Sequence, residues 1–315
     1  MKLLPSVVIF LLLGVNLMIG CSSSQNPTSQ TKPSENTTNV PNEEILNITV
    51  SVVPQEYFVK KIGGDRVKIN VMVQPGTEPD NYEPKPQQLQ ALSQAKAYIG
   101  LGIPFETILL DKVTQTNPKL LVIDSTKGIE KLSMIPHDHH DNHTHEEPED
   151  GEKMTLDPHV WLSPRLVKIQ AKHIYETLVN LDPKNQAYYE TNFNKFMGEI
   201  DQLDAKIKEN LINVKQRKFI VFHPAWGYFA QEYNLTQVPI EVGGQEPSAA
   251  ELGKLIKEAK KENIKIVFAQ PELSSQSAKV IAKEIGGEVL LISPVAPDWS
   301  NNLLEVSKTF AKALN

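Results

Sequence analysis

Five of the eight histidines (His137, His139, His140, His143 and His145) fall within nine residues, interleaved with Asp138, Asp141, Glu146, Glu147, Glu149 and Asp150. This stretch has no apolar period, so it reads as an exposed loop over 137–150, and its imidazoles and carboxyls form a flexible chelator. Two further histidines sit in a different setting. His159 in LDPHVWLSP precedes a Ser163–Pro164 helix start, and His223 in VFHPAWGYF ends an apolar strand that Pro224 stops. Each is followed within three residues by a tryptophan, so each offers imidazole nitrogen in a partly dry place, which suits zinc or another borderline metal. Either one alone reads more readily as a satisfied polar residue than as a ligand. A third segment, QPGTEPDNYEPKP at 74–86, adds Glu78, Asp80 and Glu83 just after a strand. The eighth histidine, His173, lies off the apolar stripe of its helix and reads as a surface residue.

These residues need elements to hold them. After residue 45, β-branched runs alternate with segments of helical spacing. NITVSVV (47–53), VKINVMV (67–73), AYIGLG (97–102) and KLLVIDS (119–125) read as one strand set. KFIVF (218–222), TQVPIE (236–241), IKIVFA (264–269) and EVLLIS (288–293) read as a second. Near-continuous apolar runs are the mark of strands covered on both faces. The expected fold is therefore α/β, with two lobes, each a four-stranded, mostly parallel sheet flanked by helices. The stripe Phe193, Phe196, Ile200, Leu203, Ile207, Leu211 predicts a helix over 184–213, about 45 Å long at 1.5 Å per residue. The expected boundaries are an N-terminal lobe at 45–183, the linking helix at 184–213 and a C-terminal lobe at 214–315. In open parallel sheets ligands gather beyond the carboxyl ends of the strands, so the cleft between the lobes is the natural site.

The N-terminus reads as an address. Residues 1–20 carry Lys2 and an apolar run from Val7 to Val15, the layout of a secretory signal and too short to span a bilayer. Leu17 to Cys21 resembles a lipobox with Met18 in an unusual place, which makes Cys21 a lipid attachment point. Residues 21–44 are polar and unable to bury anything, a flexible tether. The chain is thus expected outside the cytoplasm, anchored to the membrane through Cys21.

Composition narrows the function classes. One cysteine excludes internal disulfides and multi-thiolate zinc sites. A net charge of −6 speaks against nucleic-acid binding. His137-x-His139-x-Asp141 begins like a hydrolase metal string, but Asn142 follows and no strand leads into it. There is no H-E-x-x-H, G-x-S-x-G or P-loop sequence either, so an enzyme is not expected.

Taken together, PGTEPDNYEPKP, DPHVWLSP, YETNFNKFMGEIDQL (189–203), VFHPAWGYFAQEY, GGQEPSAAEL (243–252) and AKEIGG (282–287) resemble the metal-binding solute-binding proteins of ABC importers, in particular their zinc-type, ZnuA-like branch. The resemblance covers the chain from about residue 45 onward. It implies two α/β lobes joined by one rigid helix, with Zn2+ as cargo held between them and passed to a permease served by an ATPase subunit. It carries His159 and His223 over as ligands. Asp80 stands where the family usually has histidine; either it supplies an oxygen ligand, or Glu78 does so in its place, or this ligand is lost. Near the position of the last ligand of manganese-type members stand Ser293 and, five residues on, Asp298, a possible extra ligand or a helix cap. A histidine-rich loop at this place is common in the zinc-type branch, where it implies an accessory site. A monomer is expected, and affinity should fall on acidification because neutral imidazole is the ligand form. Mn2+ or Fe2+ cargo on the same fold, a surface zinc hydrolase and an adhesin are the alternative readings.

Overall fold

The computed structural model of the protein describes residues 44–74, 77, 82–134, 156–241, 244–272 and 276–315. The signal, the tether with Cys21, Glu78, Asp80 and all five loop histidines lie outside the described residues.

Two parallel sheets of the same topology make up residues 43–315, which form one compact unit. In the first, β1 (Leu46–Val52), β2 (Val67–Val73), β3 (Ala97–Gly100) and β4 (Leu121–Asp124) take the order β2-β1-β3-β4. In the second, β5 (Lys218–Val221), β6 (Thr236–Pro239), β7 (Ile266–Ala269) and β8 (Glu288–Leu291) repeat it as β6-β5-β7-β8. Every strand pair is parallel. Parallel neighbours need crossovers, and helices supply them. They are α1 (Val53–Gly63), α2 (Pro86–Ser93) and α3 (Pro104–Thr116) in the first half, and α6 (Gly227–Glu232), α7 (Ala249–Lys261) and α8 (Gln276–Glu284) in the second. The fold class expected from the apolar runs is the one observed.

Between the halves run α4 (Pro164–Leu181) and α5 (Gln186–Leu211). The Ser163–Pro164 start behaves as its residue types require: Ser163 Oγ accepts from the Leu166 N–H at 3.3 Å. The α5 helix has 26 residues, about 39 Å at 1.5 Å per residue. It begins later than expected because Pro183–Asn185 form a separate 3-10 turn. Its buried stripe is Tyr189, Phe196, Ile200, Leu203, Ile207 and Leu211, packed on α1 and α4 and on the last helix, α9 (Trp299–Ala313). One apolar core therefore runs from β1 and β3 through α5 to Phe219, Phe268 and Phe310, while a smaller core lies on the far face of the second sheet. No helix among the described residues is long and apolar enough to cross a membrane.

A buried carboxyl braces the carboxyl edge of the first sheet. Glu106 is 4% exposed and accepts from the N–H groups of Leu101 and Gly102 at 2.9 and 2.7 Å and from the Ser51 hydroxyl. Burial pushes this carboxyl above its ordinary value, although the Ser51 and backbone donors pull the other way. With the folded value above the unfolded one, folding takes up a proton. Glu106 therefore favours the folded state at acid pH and loses that contribution as pH rises through the raised value. Denaturant unfolding at several pH values should show Glu106→Gln flattening the decline in stability above about pH 4.5. A parallel curve for the variant would contradict the assignment.

Candidate metal centre between the two sheets

Of the residues singled out by sequence, His223 lies just past the carboxyl end of β5, and the described flanks of the 74–86 segment follow β2. Both flanks are fastened to that strand. Gln74 Nε2 donates to the Val71 carbonyl at 2.7 Å, and Gln88 Nε2 reaches the same carbonyl at 3.1 Å. Tyr82 is buried, donates its hydroxyl to Gln88 and meets Phe105 edge-on with ring centroids 5.0 Å apart. Gln74 on one side and Gln88, with Tyr82, on the other are thus tied to β2, while Glu78 and Asp80 lie outside the described residues.

His159 precedes a single 3-10 turn, Val160–Leu162, and is 3% exposed. Its Nδ1 donates to Asp157 Oδ1 at 2.7 Å, and the same oxygen accepts the His159 backbone N–H at 2.8 Å. Three bonds from the second half of the chain hold this turn. Trp161 Nε1 donates to the Pro294 carbonyl at 2.7 Å, Trp299 Nε1 to the Trp161 carbonyl at 2.6 Å, and the Tyr228 hydroxyl to the Asp157 carbonyl at 2.7 Å. Gly227 lets Asp157 pack this closely, since a Cβ there would stand 2.8 Å from Asp157 Oδ2.

His223 lies two residues beyond β5 and is also 3% exposed. Its Nδ1 donates to Glu241 Oε2 at 2.6 Å. The two imidazoles meet edge to face, with centroids 5.2 Å apart and planes at 74°. In each ring a carboxylate accepts a hydrogen bond from Nδ1–H, which leaves the lone pair on Nε2 and fixes the ring's orientation. Two such rings, one at the turn before α4 and one just after β5, can present nitrogen to one ion at the 2.0–2.1 Å typical of zinc–imidazole bonds. Asp157 and Glu241 add negative charge that favours a divalent cation.

Other candidates are placed elsewhere. Asp298 is exposed and caps α9, its Oδ1 accepting from the Asn301 N–H at 3.3 Å. Ser293 Oγ donates to Glu272 Oε1 at 2.5 Å. His173 Nε2 pairs with the Lys127 carbonyl at 2.9 Å on the outer side of α4. Among the described residues no three His, Cys, Asp or Glu side chains are grouped to hold an ion. Sequence reasoning missed Asp157 and Glu241. A signal for the second existed: it follows β6 at the same offset as His223 follows β5.

Two α/β halves of one sheet topology, linked by helices and joined by a pair of buried imidazoles that meet edge to face, define a class, the bilobed binding proteins. The family model described as zinc-uptake complex component A, periplasmic, matches residues 48–314. The chain belongs to that family. It is 31% identical over 251 residues to the high-affinity zinc uptake system protein ZnuA of Bacillus subtilis, covering 79% of this chain and 78% of that one. The zinc-binding protein AdcA of Streptococcus pyogenes is 29% identical over 259 residues, 79% of this chain, and the chain spans only about half of that relative's length (50%). A solved structure titled as a crystal structure of ZnuA is 47% identical, with a TM-score of 0.78 over 86% of this chain and 100% of that chain.

Proposed function

We propose that this protein is an extracytoplasmic receptor that captures Zn2+ between its two lobes and delivers it to the permease of an ABC importer driven by an ATPase subunit. The observation that carries the reading is the pair His159 and His223, buried, 5.2 Å apart and each backed by a carboxyl. Family membership supports it, as do the zinc-binding and zinc-uptake names of the relatives. In this reading His159 and His223 supply nitrogen and Asp80 supplies oxygen, with Glu78 as its substitute. The lobes are 45–183 and 214–315, joined by the helix. The work is binding and release with no bond made or broken in a substrate, so the protein is not an enzyme. Lipidation at Cys21 would keep the receptor beside its permease on the tether of residues 21–44.

The loop at 137–150 is assigned an accessory role, with His137, His139, His140, His143 and His145 gathering zinc weakly. Metal analysis and chelator titration of the protein from residue 22 onward should find one tight zinc per chain plus weaker ions. Deleting 137–150 should remove the weaker ions and leave the tight one. Loss of the tight site with the loop would overturn this division of roles.

A further inference from the structure

Beside the two histidines and their carboxyl partners, the carboxyl edge of the second sheet buries a polar group with no assigned task. Gln270 follows β7 directly, is 3% exposed, and its Oε1 has no hydrogen-bond partner among the described residues. Buried acceptors left without donors are costly and rare, and they persist where a ligand or bound water supplies the donor.

The sheet register sets Gln270 beside His223. Val221 pairs with Pro239 on one side and Phe268 on the other. Two residues further along, the same row reads Glu241, His223, Gln270. The ladder does continue past the strand ends: the Phe222 N–H donates to the Phe268 carbonyl at 2.8 Å and the Glu241 N–H to the Phe222 carbonyl at 3.1 Å. The His223–Glu241 side-chain bond is the direct outcome of that row.

Strand alternation then gives the face. Phe219, Val221 and Phe268 point into the core shared by both sheets, whereas Ile220, Phe222, Val267 and Ala269 belong to the core on the other side. His223 and Gln270 continue the first set, on the side from which His159 approaches.

We propose that Gln270 is a further residue of the metal site, whose Oε1 accepts a hydrogen bond from a water coordinated to the ion that His159 and His223 hold. The proposal rests on the functional reading above. An ion polarises its bound water into a strong donor, so a neutral amide oxygen can hold that water without adding charge to a site already backed by Asp157 and Glu241.

The test compares Gln270→Leu with Gln270→Glu in the protein from residue 22 onward, with zinc alone as the titrant and Co2+ as a spectroscopic stand-in. Loss of an outer partner of a metal site weakens affinity by about 10- to 100-fold, and that loss is expected for Gln270→Leu. Gln270→Glu, which keeps an acceptor oxygen, should bind zinc close to the parent. The visible spectrum of the Co2+ form should change in Gln270→Leu and be retained in Gln270→Glu, and the thermal midpoint of the metal-free Leu variant should not drop. A purely structural glutamine would move the midpoint and leave the spectrum alone. Should Gln270→Leu fail to fold, Gln270→Met carries the same comparison with a side chain of similar length. Unchanged zinc affinity and an unchanged Co2+ spectrum in Gln270→Leu, with binding still lost in a His159→Ala, His223→Ala variant, would overturn this proposal alone. Tight zinc binding that survives in the double histidine variant would overturn the functional reading and this inference with it.

Discussion

Replacing both His159 and His223 by alanine should abolish tight zinc binding, lowering affinity by more than the ~100-fold at the upper end of what loss of a mere outer partner costs. Both rings are 3% exposed and meet edge to face with centroids 5.2 Å apart, so the double variant strips the proposed site of both its imidazoles. The single variants should differ in the metal-free state. Removing His159 leaves Asp157 Oδ1 still accepting the backbone N–H of residue 159 at 2.8 Å. Removing His223 takes away the only side-chain bond that Glu241 makes among the described residues. A half-sequestered carboxyl deprived of its donor costs about 1–3 kcal/mol, so His223→Ala should be the more destabilised protein by denaturant unfolding. Equal stabilities for the two single variants would contradict the account of how the pair is held.

The second large effect is expected at Trp161. The side chain is fully buried (0%), packs 5.1 Å from the His159 ring between centroids, and donates to Pro294 in the other half of the molecule. Truncating a buried aromatic of this size typically costs about 3–5 kcal/mol, and Trp161→Ala also strips the Pro294 carbonyl of its donor. Trp161→Phe retains most of the packing and loses the N–H, for a cost of about 1–3 kcal/mol. Because Trp161 fixes the turn that carries His159, Trp161→Ala should weaken zinc binding as well as stability, with urea unfolding and chelator competition as the paired measurements. A loss under about 0.5 kcal/mol, the scale of an ordinary surface change, would mean that the Trp161–Pro294 bond is not what seats the histidine.

Much of the fold was legible because its signals are local. The eight apolar runs became eight strands, and the Ser163–Pro164 start and the α5 stripe followed from spacing alone. The strand ends were read too far along, and for a physical reason. Ile240 and Glu241 still bond to the neighbouring strand while the backbone turns away, so the apolar pattern outlasts the regular ladder. The two histidines were visible as residue types in an informative setting. The pairing of Glu241 with His223, and the place of Gln270 in the same row, emerge only once the order β6-β5-β7-β8 is known; the shared offset of Glu241 and His223 from their strands hints at a pair without fixing which strands are neighbours. The Trp161–Trp299 bond joins residues 138 positions apart, equally beyond local reading. Asp298 shows the opposite case: the helix cap considered for it on residue type is where it sits.

The claim that the site is built for zinc is tested most directly by competition. The protein from residue 22 onward, stripped of metal, would be titrated with Zn2+ and with Mn2+ against a chelator of known affinity for each. Two imidazoles facing one gap favour zinc over the oxygen-seeking manganese ion, so zinc should bind far more tightly and should not be displaced by excess manganese. Manganese binding as tight as zinc, or displacement of zinc by manganese, would contradict the account.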